Sequence, residues 1–316
     1  AAAPNPSAVE SAVGSDAAAP APPTEEAEPA PRRYVRNLAP NLALHRTYEV
    51  DRPPQWFTWQ KELAQRAGEA AEKPKAPDGA NLDILLLGDS ITERLIGSSM
   101  GMERETADWD KIYSMYQETT AGLDTLVLAI SGDCTHHLFR RVSELDELPV
   151  GLVPRVINVL IGTNDFRMPL FESGEETYLD IVERLRLLIE FLRGALPETQ
   201  LLVQEVFPRG DRQEAHVAVL NDLVRDMVDA LPEGTRRRLK LVDCTRPFLT
   251  SNGKLLRSLM PDLLHPNLMG SELWLKHCVL DQARAYLPEG KIEDAFENTM
   301  HAGAPSEEEQ TRSQGQ

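Results

Sequence analysis

The sequence predicts an α/β fold in which a parallel β-sheet is covered by helices on both faces. Five short and almost continuously apolar runs are the candidate strands: LDILLL, DTLVLAI, PRVINVLI, QLLVQEV and LKLVD. Segments with helical spacing of apolar residues separate these runs. Strands that alternate with helices, and that are apolar throughout, are typical of a parallel sheet buried on both sides.

The predicted elements follow one another in a regular order. An amphipathic helix is expected at 56–71, where Trp56, Trp59, Leu63 and Ala67 recur at helical spacing. The first strand, in LDILLL, then begins the regular alternation of strands and helices. The helical patterns between and after the strands cover 110–117, 135–145, 175–196, 214–231 and 269–287.

The chain divides into four parts. Residues 1–33 are rich in Ala, Pro, Ser and Glu, and residues 288–316 form an acidic tail. Neither segment has enough apolar side chains to offset the entropy of ordering, so we expect both to be disordered. Residues 34–80 are an N-terminal extension with one helix that packs on the domain, and residues 81–287 are the α/β domain itself.

The composition excludes several classes of function. The formal net charge of −17 argues against a nucleic-acid-binding protein, because phosphate binding needs a basic surface. No apolar run approaches the ~18–20 residues of a membrane-spanning helix. The N-terminus lacks the n-region and continuous h-region of an intact signal peptide, so we expect a cytoplasmic protein, with a removed targeting segment left open. Whether the chain forms a homo-oligomer also stays open.

The cysteine and histidine patterns do not predict a metal site. Cys134, Cys244 and Cys278 are odd in number and widely spaced, so we expect buried thiols rather than a disulfide framework or a zinc knuckle. His136 and His137 are adjacent, which is poor spacing for two ligands of one metal ion. We therefore expect no metal and no cofactor.

Polar residues follow the predicted strands. The motif GDS at 88–90 comes directly after the first strand, SGD at 131–133 after the second and GTND at 162–165 after the third. The segment PDLLHPN at 261–267 precedes the last helix. Each motif alone is also what an ordinary turn contains. The carboxyl ends of parallel strands meet at one edge of the sheet, however, and ligands bind there, so we expect these residues to lie close together.

Together, these segments hold the groups that acyl transfer needs. Ser90 is the candidate nucleophile, and His265 is the candidate base, because imidazole groups in general titrate near neutral pH. Asp262 can fix the tautomer of that ring and stabilise its charged form. The oxyanion that develops needs donors, which the backbone N–H groups of Ser90 and Gly132 and the side-chain amide of Asn164 can supply.

With these residues in place, the sequence resembles the SGNH, or GDSL-type, hydrolase superfamily over about residues 82–285. Four blocks occur in the family's order: GDSIT, ISGD, IGTND and DLLHP. The resemblance implies a flavodoxin-like, three-layer α/β/α sandwich with a five-stranded parallel sheet. It also implies a metal-free serine esterase, which is a carboxylic ester hydrolase.

The roles that the resemblance implies follow by position. Ser90 corresponds to the nucleophile, and Asp262 and His265 correspond to the acid and the base. Gly132 and Asn164 correspond to the oxyanion donors, together with the N–H of the nucleophile. Asp89, next to the nucleophile, is expected to support the turn rather than to take part in the chemistry.

Within the superfamily, the sequence is most similar to the intracellular platelet-activating-factor acetylhydrolase catalytic subunits and their bacterial relatives. The segments ISGDCTHHLFRRV, VFPRG and WDKIY carry this likeness, whereas Leu128, Ala129 and Cys134 depart from it and 97–108 resembles a short insertion. The likeness implies a small ester as substrate, with a short, acetyl-type acyl group, on a lipid such as an acetylated glycerophospholipid. The alternatives are a carbohydrate O-acetylesterase and a non-catalytic binding protein on the same fold.

A rival nucleophile motif, GSSMG, occupies 97–101 and has the form G-x-S-x-G. That motif works only with a strand directly before it and a helix directly after it. Here it follows ITERLI and precedes a polar segment. We expect a flexible loop near the mouth of the site.

Overall fold

Each of the five apolar runs forms a strand of one parallel sheet. The computed structural model describes residues 52–103, 107–167, 169–174 and 176–291. Its strands are β1 (Leu82–Gly88), β2 (Ser98–Ser99), β3 (Met102–Glu103), β4 (Thr125–Ala129), β5 (Pro154–Leu160), β6 (Gln200–Gln204) and β7 (Leu239–Val242). The large sheet has the order β4-β1-β5-β6-β7, and all its neighbours are parallel. Strands β2 and β3 form a separate antiparallel hairpin.

Helices cover both faces of this sheet. They are α1 (Pro54–Ala71), α2 (Ser90–Glu93), α3 (Ala107–Thr119), α4 (Thr135–Glu144), α5 (Pro169–Ser173), α6 (Tyr178–Ala195), α7 (Glu214–Ala230), α8 (Glu233–Arg236), α9 (Leu268–Leu273) and α10 (Asp281–Ala283). Leu85 and Leu87 of β1 face a core that is shared with α1, α4, α6 and α7. Ile84 and Leu86 face a second core, which is shared with α3 and the C-terminal helical segment. The predicted three-layer α/β/α fold with a five-stranded parallel sheet is confirmed.

The N-terminal helix belongs to the first of these cores. Trp56, Trp59, Leu63 and Ala67, which recur at helical spacing, are all buried. Trp59 Nε1 also donates a hydrogen bond to the carbonyl of Ala129 at the end of β4, at 3.1 Å. The two segments that we expect to be disordered, 1–33 and most of 288–316, lie outside the described residues. None of the described helices combines the length and the apolar character that crossing a bilayer requires.

The last helical segment is less regular than its sequence predicts. The pattern at 269–287 indicates one helix, but a π-helical stretch, Trp274–Leu280, separates α9 from α10. A buried glutamine of β6 contacts this stretch at two points. Gln204 Oε1 accepts a hydrogen bond from Trp274 Nε1 at 2.8 Å, and Gln204 Nε2 donates to the Cys278 carbonyl at 3.1 Å. The side chain of Gln204 thus connects this wider, π-helical turn to strand β6 of the sheet.

The expectation of three buried thiols is wrong for two of the cysteines. Cys244, just after β7, and Cys278, in the π-helical stretch, form a disulfide with a Cα–Cα distance of 5.9 Å. Only Cys134 is a free and buried thiol among the described residues. Both bonded cysteines are also buried, so their sequence surroundings look the same as those of a thiol in the core. The bond closes a loop that includes Asp262 and His265.

Candidate active site

Ser90 lies at the carboxyl end of β1, on the first residue of α2. The strand ends at Gly88, where an added Cβ would lie 2.7 Å from the carbonyl oxygen of Leu160, so a larger residue does not fit. Asp89 then caps α2, because its Oδ1 accepts a hydrogen bond from Ile91 N at 3.0 Å. The sequence Gly-Asp-Ser thus turns the chain from the sheet into a helix and places the serine hydroxyl at the sheet edge.

Asp89 is buried below this turn and does not line the cleft above it. Its exposed fraction is 1%, and burial, more than any neighbouring charge, raises the pKa of its carboxyl to about 7. Its second oxygen has no hydrogen-bond partner among the described residues. This position agrees with the role expected for Asp89, which is to support the turn.

The segment before α9 brings Asp262 and His265 to the serine. Ser90 Oγ lies 2.9 Å from His265 Nε2, and His265 Nδ1 lies 2.8 Å from Asp262 Oδ2. The other oxygen of Asp262 accepts hydrogen bonds from the N–H groups of Leu264, at 3.0 Å, and His265, at 2.6 Å. The carboxylate therefore fixes both the ring and the backbone that carries the ring.

A strained residue makes this compact loop possible. Leu263 has φ of +68°, in the left-handed region that non-glycine residues rarely adopt. Its carbonyl accepts a hydrogen bond from Gly210 N at 3.0 Å, which ties the loop to the segment after β6. The strain allows the chain to fold back so that Asp262 reaches His265 three residues later.

The ionisation of Asp262 suits its position. Partial burial alone would raise the pKa of this carboxyl, but hydrogen bonds from the His265 ring and from two backbone N–H groups outweigh burial and hold the pKa well below its usual range. An ionised Asp262 favours the tautomer of His265 with its proton on Nδ1. The lone pair of Nε2 then faces the Ser90 hydroxyl.

Two further donors lie beside Ser90. Gly132 has φ of +81°, and its carbonyl accepts a hydrogen bond from Arg52 Nη2 at 2.6 Å. Neither its N–H nor that of Ser90 donates to another described residue. Asn164 Nδ2 donates to the carbonyl of Asp133 at 2.9 Å, which uses one of its two N–H bonds. All three residues line the same cleft.

A buried glutamate that no sequence motif marks holds this region together. Glu93, at the end of α2, is 0% exposed. Its Oε1 accepts hydrogen bonds from Ser98 Oγ and Gly101 N, both at 2.9 Å, and its Oε2 accepts from the N–H and the hydroxyl of Ser131, both at 2.6 Å. Glu93 therefore connects the nucleophile helix to the hairpin and to the residue before Gly132.

The same contacts correct the expectation of a flexible loop at 97–101. This segment forms the β2–β3 hairpin, with Met100 and Gly101 both at positive φ in its turn. A Cβ on Gly101 would lie 2.6 Å from the Trp59 ring, so the turn packs closely on α1. Ser99 lines the cleft but follows no strand of the large sheet, so the rival motif does not form a nucleophile elbow.

The cleft around Ser90 has a volume of about 580 Å³. Four of the residues that line it are Ser90, Ser131, Gly132 and Asn164. Its other described lining residues are Arg94, Ser99, Trp109, Arg167, Asp262, Leu264 and His265. The structure thus brings every residue predicted for the site into one cleft except Asp89, which lies beneath it.

One cluster could hold a metal ion by distance alone. Ligand atoms of Cys134, His136 and His137 lie within 4.8 Å of one another, and all three residues are buried. Burial, His136 and nearby arginines hold the pKa of His137 far below its usual value. Arg52 Nε also donates to His137 Nε2 at 2.9 Å. Because these guanidinium groups disfavour a further cation, we assign the cluster a structural role.

The site combines a serine with a histidine–aspartate pair at the carboxyl edge of a parallel α/β sheet. This combination places the protein in the class of serine hydrolases. The model of the GDSL-like lipase/acylhydrolase family matches residues 86–273, which is more than half of the chain. The chain belongs to this family and is a carboxylic ester hydrolase. A sequence search of curated proteins finds no match.

Two solved structures with TM-scores above 0.5 share this fold, and a third is similar with a lower score. A protein from Streptococcus pneumonia that is named for platelet activating factor has 18% identity and a TM-score of 0.51, and the match covers 72% of this chain and 94% of the other. A protein assigned as an acylhydrolase from Bacteroides fragilis has 16% identity and a TM-score of 0.51, with 71% and 97% covered. An acetyl xylan esterase from Geobacillus stearothermophilus has 20% identity and a TM-score of 0.47, with 65% and 95% covered.

Proposed function

We propose that this protein is a serine esterase that removes a short acyl group, of the acetyl type, through an acyl-enzyme. The observation that carries the proposal is the continuous set of contacts from Ser90 Oγ to His265 Nε2 and from His265 Nδ1 to Asp262. A hydroxyl, a base and an orienting carboxylate in this geometry can activate the serine at neutral pH.

The reaction follows from these contacts. His265 Nε2 takes the proton of Ser90 as Oγ bonds to the ester carbonyl carbon, and the electron pair of the C=O bond moves to oxygen. The N–H groups of Ser90 and Gly132 and the second N–H of Asn164 then stabilise that oxyanion. His265 then gives its proton to the departing alkoxide, which leaves the acyl group on Ser90. Water, deprotonated by the same ring, releases the acid and restores the hydroxyl.

The lining of the cleft supports a short acyl group. Among the described lining residues, only Leu264 and Trp109 are apolar, and the others are serines, a glycine, an asparagine, two arginines, an aspartate and a histidine. A long acyl chain would need a larger apolar surface to offset the loss of its contacts in a membrane or micelle. An acetyl group needs no large apolar surface of this kind.

The test compares wild type with Ser90→Ala on 4-nitrophenyl acetate, butyrate and octanoate. We expect hydrolysis by wild type that declines with chain length, and a loss of about 10³-fold or more in the variant, since the covalent step disappears. Equal hydrolysis by both proteins would refute the assignment. Acetate release from an acetylated glycerophospholipid, compared with release from acetylated xylan, then separates a lipid substrate from a sugar substrate.

A further inference from the structure

The cleft contains a half-buried guanidinium group with few partners. Arg94 follows α2, and its side chain is only 15% exposed. Its Nε has no hydrogen-bond partner among the described residues. Its Cζ lies 4.6 Å from the centre of the Trp109 ring, which forms one wall of the cleft. Burying a cation costs free energy unless an anion or a set of acceptors compensates for the lost water.

Two described carboxylates, those of Asp262 and Asp108, attract Arg94, but neither forms a hydrogen bond with it. Asp262 Oδ2 lies 3.9 Å from Arg94 Nη1, which is beyond hydrogen-bond distance. Both oxygens of Asp262 are already used, one by the His265 ring and the other by two backbone N–H groups. Burial also lowers the pKa of Arg94 from its usual value, although an arginine stays charged at neutral pH.

A second arginine stands at the rim of the cleft. Arg167 follows the GTND segment, its side chain is 55% exposed, and it pairs with Asp211. The Asp211 carboxylate balances the charge of Arg167, so Arg94 is the lining cation that has no hydrogen-bonded carboxylate among the described residues. In a chain whose formal net charge is −17, a cation in this position attracts an anionic group that enters the cleft.

We propose, on the basis of the esterase function above, that the ester cleaved here carries an anionic group, a phosphate or a carboxylate. Arg94 binds this group, and Arg167 assists at the rim. A guanidinium presents two parallel N–H bonds, which match both oxyanions, and its stacking on Trp109 fixes the plane of that fork. Arg94 is thus a specificity-determining residue, placed one turn after the nucleophile.

The test uses a matched pair of acetyl esters, 4-acetoxybenzoate and its neutral methyl ester. Rates are divided by those of hydroxide-catalysed hydrolysis, which removes the difference in leaving groups. We expect wild type to prefer the anionic ester by about tenfold or more in kcat/KM, because a charge-assisted hydrogen bond contributes that much. Arg94→Gln should reduce this preference about 10- to 100-fold, and Arg94→Lys should retain part of it. A third ester, 4-acetoxyphenyl phosphate, decides which oxyanion fits better.

The ratio of the two esters separates specificity from general damage, because both esters need the same Asp262 and His265. Arg238→Gln is the matched control: it removes one positive charge at the amino-terminal edge of β7, opposite the site, and should leave the preference unchanged. An equal preference in wild type and Arg94→Gln, or a wild-type preference for the neutral ester, overturns the proposal.

A binding measurement keeps the proposal testable if turnover is absent. Calorimetric titration of Ser90→Ala with 4-acetoxybenzoate and with its methyl ester measures the preference without chemistry. Tighter binding of the anion that disappears in Ser90→Ala/Arg94→Gln supports the proposal even if the wild type hydrolyses neither ester, in which case the esterase function alone fails. Equal binding of both esters overturns it.

Discussion

Replacing Glu93 by glutamine tests how far one buried carboxylate controls the loop that carries Gly132. The carboxylate serves two groups of donors: Ser98 Oγ and Gly101 N on Oε1, and the N–H and hydroxyl of Ser131 on Oε2. A glutamine has one acceptor oxygen, so it can serve only one of these groups. Its NH₂ must face a backbone N–H of the other group, donor against donor.

The size of the effect follows from these contacts. A buried N–H without an acceptor costs about 1–3 kcal/mol, and we expect the free energy of unfolding to fall by that amount. If the glutamine oxygen turns to the hairpin, the Ser131 N–H loses its acceptor and the neighbouring Gly132 shifts. Complete loss of one oxyanion donor lowers turnover about 10²–10³-fold, which sets the upper limit. A partial shift should lower kcat about tenfold or more and change KM less.

The assay measures kcat and KM with 4-nitrophenyl acetate, well below the melting temperature, with the folded fraction measured by circular dichroism. Ser98→Ala is the matched control, because it removes one donor to Oε1 and leaves both Ser131 contacts in place. Its kcat should stay near that of wild type. If Glu93→Gln lowers stability but its kcat stays within about threefold of the control, the carboxylate is structural only and the reasoning about Gly132 is wrong.

Three further predictions rest on other contacts. Asp262→Asn should lower kcat about 10⁴-fold with little change in melting temperature, because its NH₂ favours the wrong tautomer of His265; unfolding with unchanged specific activity would contradict this. Burial raises the pKa of Asp89 to about 7, so the folded state keeps a proton that the unfolded state releases above about pH 4. The free energy of unfolding should therefore fall as the pH rises from about 4 through 7. Asp89→Asn should make this fall smaller in urea titrations between pH 4 and 8. Cys278→Ser opens a loop of 34 residues and should cost about 4 kcal/mol, seen as a lower melting temperature than that of wild type; an unchanged value would show that the bond to Cys244 does not form.

The main features of the fold were predictable because β1 and its neighbours are buried on both faces. Such strands must be apolar at every position, and this leaves a continuous run in the sequence. The first helix, α1, was predictable for a related reason, since one face of it is buried and Trp56 and Leu63 mark that face. The break at Trp274–Leu280 was not predictable, because its contacts with Gln204 depend on a residue 70 positions away.

The site was predictable where its chemistry is local. Asp262 and His265 are three residues apart, and Ser90 directly follows a strand, so short motifs describe them. Glu93 and Arg94 look like ordinary charged residues at a helix end, and their importance depends on which distant segments surround them. The only sequence signal for Glu93 was its position one helical turn after the nucleophile, in a segment that also contains the apolar residues Ile91 and Leu95. The disulfide left no signal beyond two cysteines that also suit a core.

The disulfide between Cys244 and Cys278 has a consequence for how the protein responds to proteases. The segment between these cysteines contains an exposed turn at 251–254, which is the kind of site where proteases cut folded chains. A cut there separates the chain into two polypeptides, with Ser90 on the first and the Asp262–His265 pair on the second. The covalent bond keeps both pieces together, and they migrate as one band on a non-reducing gel and as two after reduction. The nucleophile and its base would then belong to different polypeptides and still form one site.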